Sequence, residues 1–247
     1  MYLRKNIKAF LLENEKEDFT NFLNELRHFH QEKYIKKLTI HGPRPKTLIG
    51  QNSIVFIQTN LFRAQKLAYG YIDSLNKQNP LLGTLSARAH FETTGALALF
   101  LKRYLQYHRG KIDLELLDNT LKTLYLGVKD KAVIPEAPDP FNVMKLIDAV
   151  DDVLRTEYNF KEQIFRTYYN DLSETSHPNS FGYFLGHNFK DKGRTVLFTG
   201  ETEPLGIREY NIDAFYAGAE MYIQIYNRTR ELIEQNEDLP FEEYKTK

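Results

Sequence analysis

Apolar residues recur at helical spacing through most of this chain. Over residues 17–37, Phe19, Phe22, Leu23, Leu26, Phe29 and Tyr34 share one face, the repeat of an amphipathic helix. The stretch His41-Gly-Pro-Arg-Pro45 ends it, because prolines cannot carry the helical hydrogen bonds onward. A second helix is predicted over 53–77, burying Ile54, Ile57, Leu61, Ala64, Leu67, Ala68 and Ile72, with Asn79-Pro80 as its stop. A third, over 83–108, contains Gly95-Ala-Leu-Ala-Leu-Phe-Leu101. That run is apolar all round, so this helix belongs at the centre. Gly110 ends it, and Asp113 is placed to cap a fourth helix reaching Leu126.

Residues 127–141 hold Gly127, Pro135, Pro138 and Pro140 and little periodicity, which reads as a Pro-rich loop, a lid or a linker. Helical spacing resumes over 142–158 through Val143, Leu146, Ile147, Val150, Val153 and Leu154, then over 160–176, where His177-Pro178 stops it. Around 183–200 two short alternating segments flank Lys190-Asp-Lys-Gly193, the pattern of a small β-hairpin. A last helix spans 209–235, with Ile212, Phe215, Ala219, Tyr222, Tyr226 and Ile233 on one stripe, and 237–247 form a charged, frayed tail. The expectation is an all-α bundle of about seven helices in one domain, residues 1–247, with one hairpin.

Composition narrows the chemistry. There are 33 basic and 33 acidic residues, so no global field attracts nucleic acid or an anionic membrane. Cysteine is absent, which excludes disulfide-linked partners, thiolate metal sites and cysteine nucleophiles. The apolar run near the N-terminus ends at Leu12 and meets Glu13, too short for a signal-peptide core. The run 95–101 is far below the ~20 residues of a membrane span. A cytoplasmic location follows. No Gly-rich phosphate loop, nucleophile elbow or cofactor motif is present, so no cofactor is expected.

One segment is unusual: Tyr169-Asn-Asp-Leu-Ser-Glu-Thr-Ser-His-Pro-Asn179. Tyr169, Ser173 and His177 are spaced to stack on one helix face, and Glu174 lies a turn before His177. His177 falls at the negative end of the helix dipole. Arg88 and Glu92 form a second polar pair where the central helix turns apolar. A half-buried arginine there needs partners, and the face bearing Ser173, Glu174 and His177 is one source. The same groups equally suit a hydrogen-bonded lock between two helices. Glu25/His28 and Glu174/His177 each have a Glu-x-x-His spacing. Their positions, a polar helix and a helix end against a proline, do not suit a di-metal bundle site, so no metal is expected. Lys33, Lys36, Lys37, Arg44 and Lys46 make a basic stretch, ordinarily a solvated face.

The set of Arg88-x-x-x-Glu92, then Asn142, Val143, Ile147 and Asp148, then the Tyr169-to-Asn179 string resembles an uncharacterised family of bacterial helical proteins. More distantly it resembles the HEPN class, helical proteins that include abortive-infection and toxin ribonucleases. The resemblance covers roughly residues 85–182. HEPN ribonucleases carry an arginine a few residues before the histidine. Here Arg166 precedes His177 by ten intervening residues, so that arrangement is missing and Arg88 would have to replace it in space.

Three readings follow. In the first, the protein is a phage-defence or stress protein that cleaves RNA without metal. His177 is the general acid/base, Arg88 stabilises phosphate charge, Ser173 and Glu174 complete the catalytic set, and Tyr169, Asn179 and Glu92 hold substrate. In the second, it is a non-enzymatic interaction module, such as a homodimer joined through Tyr216, Tyr222 and Tyr226 of the last helix, and the polar motif is structural. In the third, it is a helical bundle with a small-ligand pocket roofed by the 127–141 loop or the hairpin.

Overall fold

The computed structural model describes residues 2–39, 49–178, 187–198, 211–235 and 242–244. In chain order they form α1 (Lys5–Glu13), α2 (Glu17–Lys33), β1 (Lys37–Thr39), α3 (Ile49–Asn76), α4 (Pro80–His108), α5 (Leu114–Leu126), α6 (Val143–Glu157), α7 (Ile164–Ser176), β2 (His187–Lys190), β3 (Thr195–Phe198), α8 (Ile212–Glu234) and β4 (Glu242–Tyr244). The architecture is an all-α bundle. Eight α-helices lie among the described residues, and α1 is the one beyond expectation. The expected hairpin is β2 against β3, antiparallel, with His187 opposite Phe198 and Lys190 opposite Thr195. Within the tail expected to fray, β4 pairs antiparallel with β1. The helix expected to run to residue 37 therefore ends at Lys33, and Lys37 already belongs to a strand.

Local chemistry sets the helix ends. The Asn79 side chain accepts the Leu82 N–H at 3.0 Å, and Pro80 fills the first helical position, where a missing N–H costs nothing. Asp113 caps α5 through the Leu116 N–H at 2.8 Å, and Asn142 caps α6 through that of Met144 at 2.8 Å. The start of α7 is held from outside. Asp151, buried on α6, accepts the N–H groups of Phe165 and Arg166, each at 3.1 Å. Burial raises the Asp151 carboxyl above its ordinary range, while these two N–H bonds pull the other way. Gln58 of α3 gathers the end of α2. It accepts the Ile35 N–H at 2.9 Å and donates to the Lys33 carbonyl at 3.0 Å and to the Tyr226 hydroxyl at 2.7 Å.

Helix α4 touches α3, α5, α6, α7 and α8. Leu97, Ala98, Leu99, Phe100 and Leu101 are all buried, which is how a helix apolar on every side must sit. Two glycines permit its closest contacts. A Cβ on Gly95 would stand 2.7 Å from the Leu146 backbone of α6, and one on Gly218 of α8 would stand 2.3 Å from the Phe91 ring. Tyr71 stacks on Phe215 at 3.9 Å and Phe91 on Phe165 at 4.2 Å, joining α3 to α8 and α4 to α7. The tyrosines assigned above to a dimer face are spent in this core. Tyr222 and Tyr226 are fully buried, and Tyr216 packs on Phe22 at 4.6 Å. Tyr222 and Tyr226 share the buried α8 stripe with Phe215 and Ala219, so they present no surface to a second copy, while Tyr216 is half-buried. Among the described residues, no helix is long and apolar enough to cross a membrane.

Candidate functional site

Helix α7 runs back along α4, so Phe165 lies beside Phe91 and the later residues of α7 meet earlier residues of α4. This brings Tyr169 and Ser176 to Arg88 and Glu92. The Arg88 Nη1 donates to the Ser176 hydroxyl at 2.8 Å, and its Nε lies 3.4 Å from the Tyr169 hydroxyl. The Tyr169 O–H donates to Glu92 Oε1 at 3.0 Å, and Arg88 Nε stands 3.5 Å from the same carboxylate oxygen. The Ser176 hydroxyl donates to the Ser173 carbonyl at 3.0 Å. The guanidinium carbon also sits 5.5 Å from the Tyr169 ring centre. The Arg88 cation, the Glu92 carboxylate and the Tyr169 and Ser176 hydroxyls each meet a complementary group. Burial raises the Tyr169 phenol above its ordinary range, with Glu92 adding to the shift and Arg88 opposing it.

Of the candidate residues, Arg88, Glu92 and Tyr169 therefore meet. Ser173 contributes its carbonyl, while its own Oγ is buried without a hydrogen-bond partner among the described residues. Glu174 and His177 are exposed. The expected stack of Tyr169, Ser173 and His177 on one face breaks at the last member: His177 is the C-cap, with ψ 152°, and leaves the helix. Asn179 lies outside the described residues. The partner that sequence reasoning missed is Ser176. Its signal was available, since it lies seven residues after Tyr169 and three after Ser173, on the same stripe.

Two other polar places stand out. The C-terminal half of α8 borders an open groove of about 450 Å³, lined among others by Lys33, Tyr158, Gln224, Asn227, Arg228 and Glu231. Its Arg228 and Glu231 pair at 2.7 Å. In the core, His30 and His90 are buried, and neither ring nitrogen of either has a hydrogen-bond partner among the described residues. The His90 ring lies 5.5 Å from those of both Phe215 and Tyr222. Burial lowers the His30 imidazole to about 4 and that of His90 to about 3. Among the described residues, no cluster of three or more His, Asp or Glu side chains could hold a metal ion. The residues lining the groove do not belong to the 127–141 loop. That loop is braced on itself, Lys131 donating to the Ala137 carbonyl at 2.7 Å and pairing with Asp139 at 2.8 Å.

Comparison of the chain with protein-family models, with curated proteins and with solved structures finds no match.

Proposed function

We propose that this chain is a cytoplasmic, non-enzymatic helical module that acts by binding, and that its Tyr169-to-Asn179 motif is a structural lock. One observation carries this reading. The Arg88 guanidinium is already engaged by Ser176, Tyr169 and Glu92. Glu92 neutralises Arg88, the cation that the described residues of this site would offer a phosphate, so an anionic substrate would have to displace a carboxylate bonded at 3.0 Å to Tyr169. A charge-neutral, hydrogen-bonded cluster fastens α4 to α7. It does not pre-organise a site for developing negative charge. A surface open to a partner is the groove along α8, whose walls mix cations, amides and carboxylates. Such a lining fits a polar chain segment carrying both signs of charge.

A second reading keeps the HEPN-like, RNA-directed role in phage defence. Its support is the adjacency of Ser176, which holds Arg88, to the exposed His177. One assay separates the two. Purified protein and a His177→Ala variant are incubated with RNA, with and without chelator. The binding-module reading expects no cleavage by the wild type. It also expects Arg88→Ala to lower unfolding stability by about 1–3 kcal/mol, the cost of stranding half-buried partners. Cleavage that survives chelator and disappears with His177→Ala would overturn it.

A further inference from the structure

A small cavity of about 120 Å³ lies between the N-terminal segment, α1 and α2, away from the motif. Its wall is firmly built. Asn76, at the end of α3, accepts the Arg4 N–H at 2.8 Å and donates to the Tyr2 carbonyl at 2.7 Å, which straps the first residues across the bundle. Leu3 and Leu23 form its buried apolar floor. On α2, Thr20, Asn24 and Arg27 follow one another at helical spacing, so one face presents all three, and Lys8 enters from α1.

The charge here is unbalanced in a chain whose net charge is zero. No carboxylate lines the cavity, while Lys8 and Arg27 both do. Arg88, Lys131 and Arg228 each have a carboxylate partner. Arg27 lines a cavity that has no carboxylate in its wall. Its Nε is buried and without a hydrogen-bond partner among the described residues. That nitrogen is shielded from the cavity as well, so Arg27 lines it with the rest of its side chain, which carries a full positive charge.

We propose that this cavity binds a phosphate monoester group. Two cations match its charge near −2 at neutral pH. The guanidinium edge, the ammonium, the Thr20 hydroxyl and the Asn24 amide offer more donors than a planar carboxylate has use for, and they suit three terminal oxygens. The Thr20 hydroxyl is only loosely held, 3.4 Å from the Lys16 carbonyl, so turning it to a ligand loses little. This inference is independent of the α4–α7 lock and of the α8 groove.

The test is isothermal titration of the full chain at low ionic strength with inorganic phosphate, with glycerol 3-phosphate and with acetate. Saturable binding of phosphate and not of acetate is expected. Lys8→Gln and Arg27→Gln should each weaken it about tenfold, the loss of one charge-assisted contact. Added salt should weaken it further. Tighter binding of glycerol 3-phosphate than of phosphate would identify an organic monoester as the ligand; equal binding would identify phosphate itself. No saturable heat with either phosphate, or a folded Lys8→Gln variant that binds as tightly as the wild type, would overturn the proposal. Lys8 is exposed, so that variant decides the matter even where Arg27→Gln unfolds.

Discussion

Mild acid should unfold this protein through two histidines at its centre. His30 on α2 and His90 on α4 are buried among Phe29, Phe215 and Tyr222, and among the described residues their ring nitrogens have no hydrogen-bond partner. Desolvation therefore holds them neutral, to about 4 for His30 and about 3 for His90, against 6.5 in the unfolded chain. The sign follows directly. As pH falls below 6.5 the unfolded chain takes up two protons that the folded chain refuses, so stability is lost, at about 1.4 kcal/mol per pH unit for each histidine. Between pH 7.5 and 5 the loss is about 2 kcal/mol for each histidine, about 4 in all. That is a large part of a domain's ordinary 5–15 kcal/mol. Urea unfolding at the two pH values is the assay, with a midpoint expected to drop by about 1–3 M. The control is the His30→Leu/His90→Leu double variant, which keeps every carboxylate. Asp151 titrates in the opposite sense, since its raised carboxyl adds stability at low pH, but it does so equally in both proteins. The difference between the two pH profiles thus reports the histidines alone. A double variant that loses as much stability as the wild type between pH 7.5 and 5 would refute the reasoning.

Other perturbations follow from single contacts. Asp151→Ala removes the acceptor for two N–H groups at the start of α7 and should cost about 1–3 kcal/mol, with faster amide exchange at Phe165 and Arg166. Gly95→Ala forces a methyl against the Leu146 backbone and should cost about 1–3 kcal/mol in denaturant unfolding, whereas Gly110→Ala meets nothing and pays only for its positive φ. Tyr169→Phe deletes the hydroxyl between Arg88 and Glu92, and a double-mutant cycle with Arg88→Ala should give a coupling of about 1 kcal/mol. A coupling near zero would mean the α4–α7 lock does not act as a unit.

The bundle was largely legible because its helices advertise themselves. Periodicity located α2 to α8, and the all-round apolar run 95–101 placed α4 at the centre. What was missed depends on the tertiary fold. Helix α1 has Ile7, Phe10 and Leu11 at helical spacing, but nine residues form no stable helix alone. Ile7 and Leu11 become buried only in the assembled bundle. The β1–β4 ladder joins Lys37 to Tyr244, and no local pattern announces a pairing across the whole chain. Asp151 looked like any acidic helix residue, because its duty as a cap belongs to a different helix.

The polar site divides at one residue for a reason that was in plain view. Helical spacing carries the Tyr169, Ser173 stripe on to His177 only if His177 is helical. Pro178 opposes that, since the proline ring clashes with a helical predecessor and pushes it to extended backbone. His177 duly takes ψ 152°, and its imidazole is exposed. Ser176, the last helical residue, inherits the place beside Arg88 at 2.8 Å. The motif therefore reads better as a sequence for ending a helix on a half-buried arginine than as a sequence for aiming a histidine. A polar row at helical spacing identifies which side chains share a face, but the residue before a proline should be removed from the row before any of them is given a chemical role.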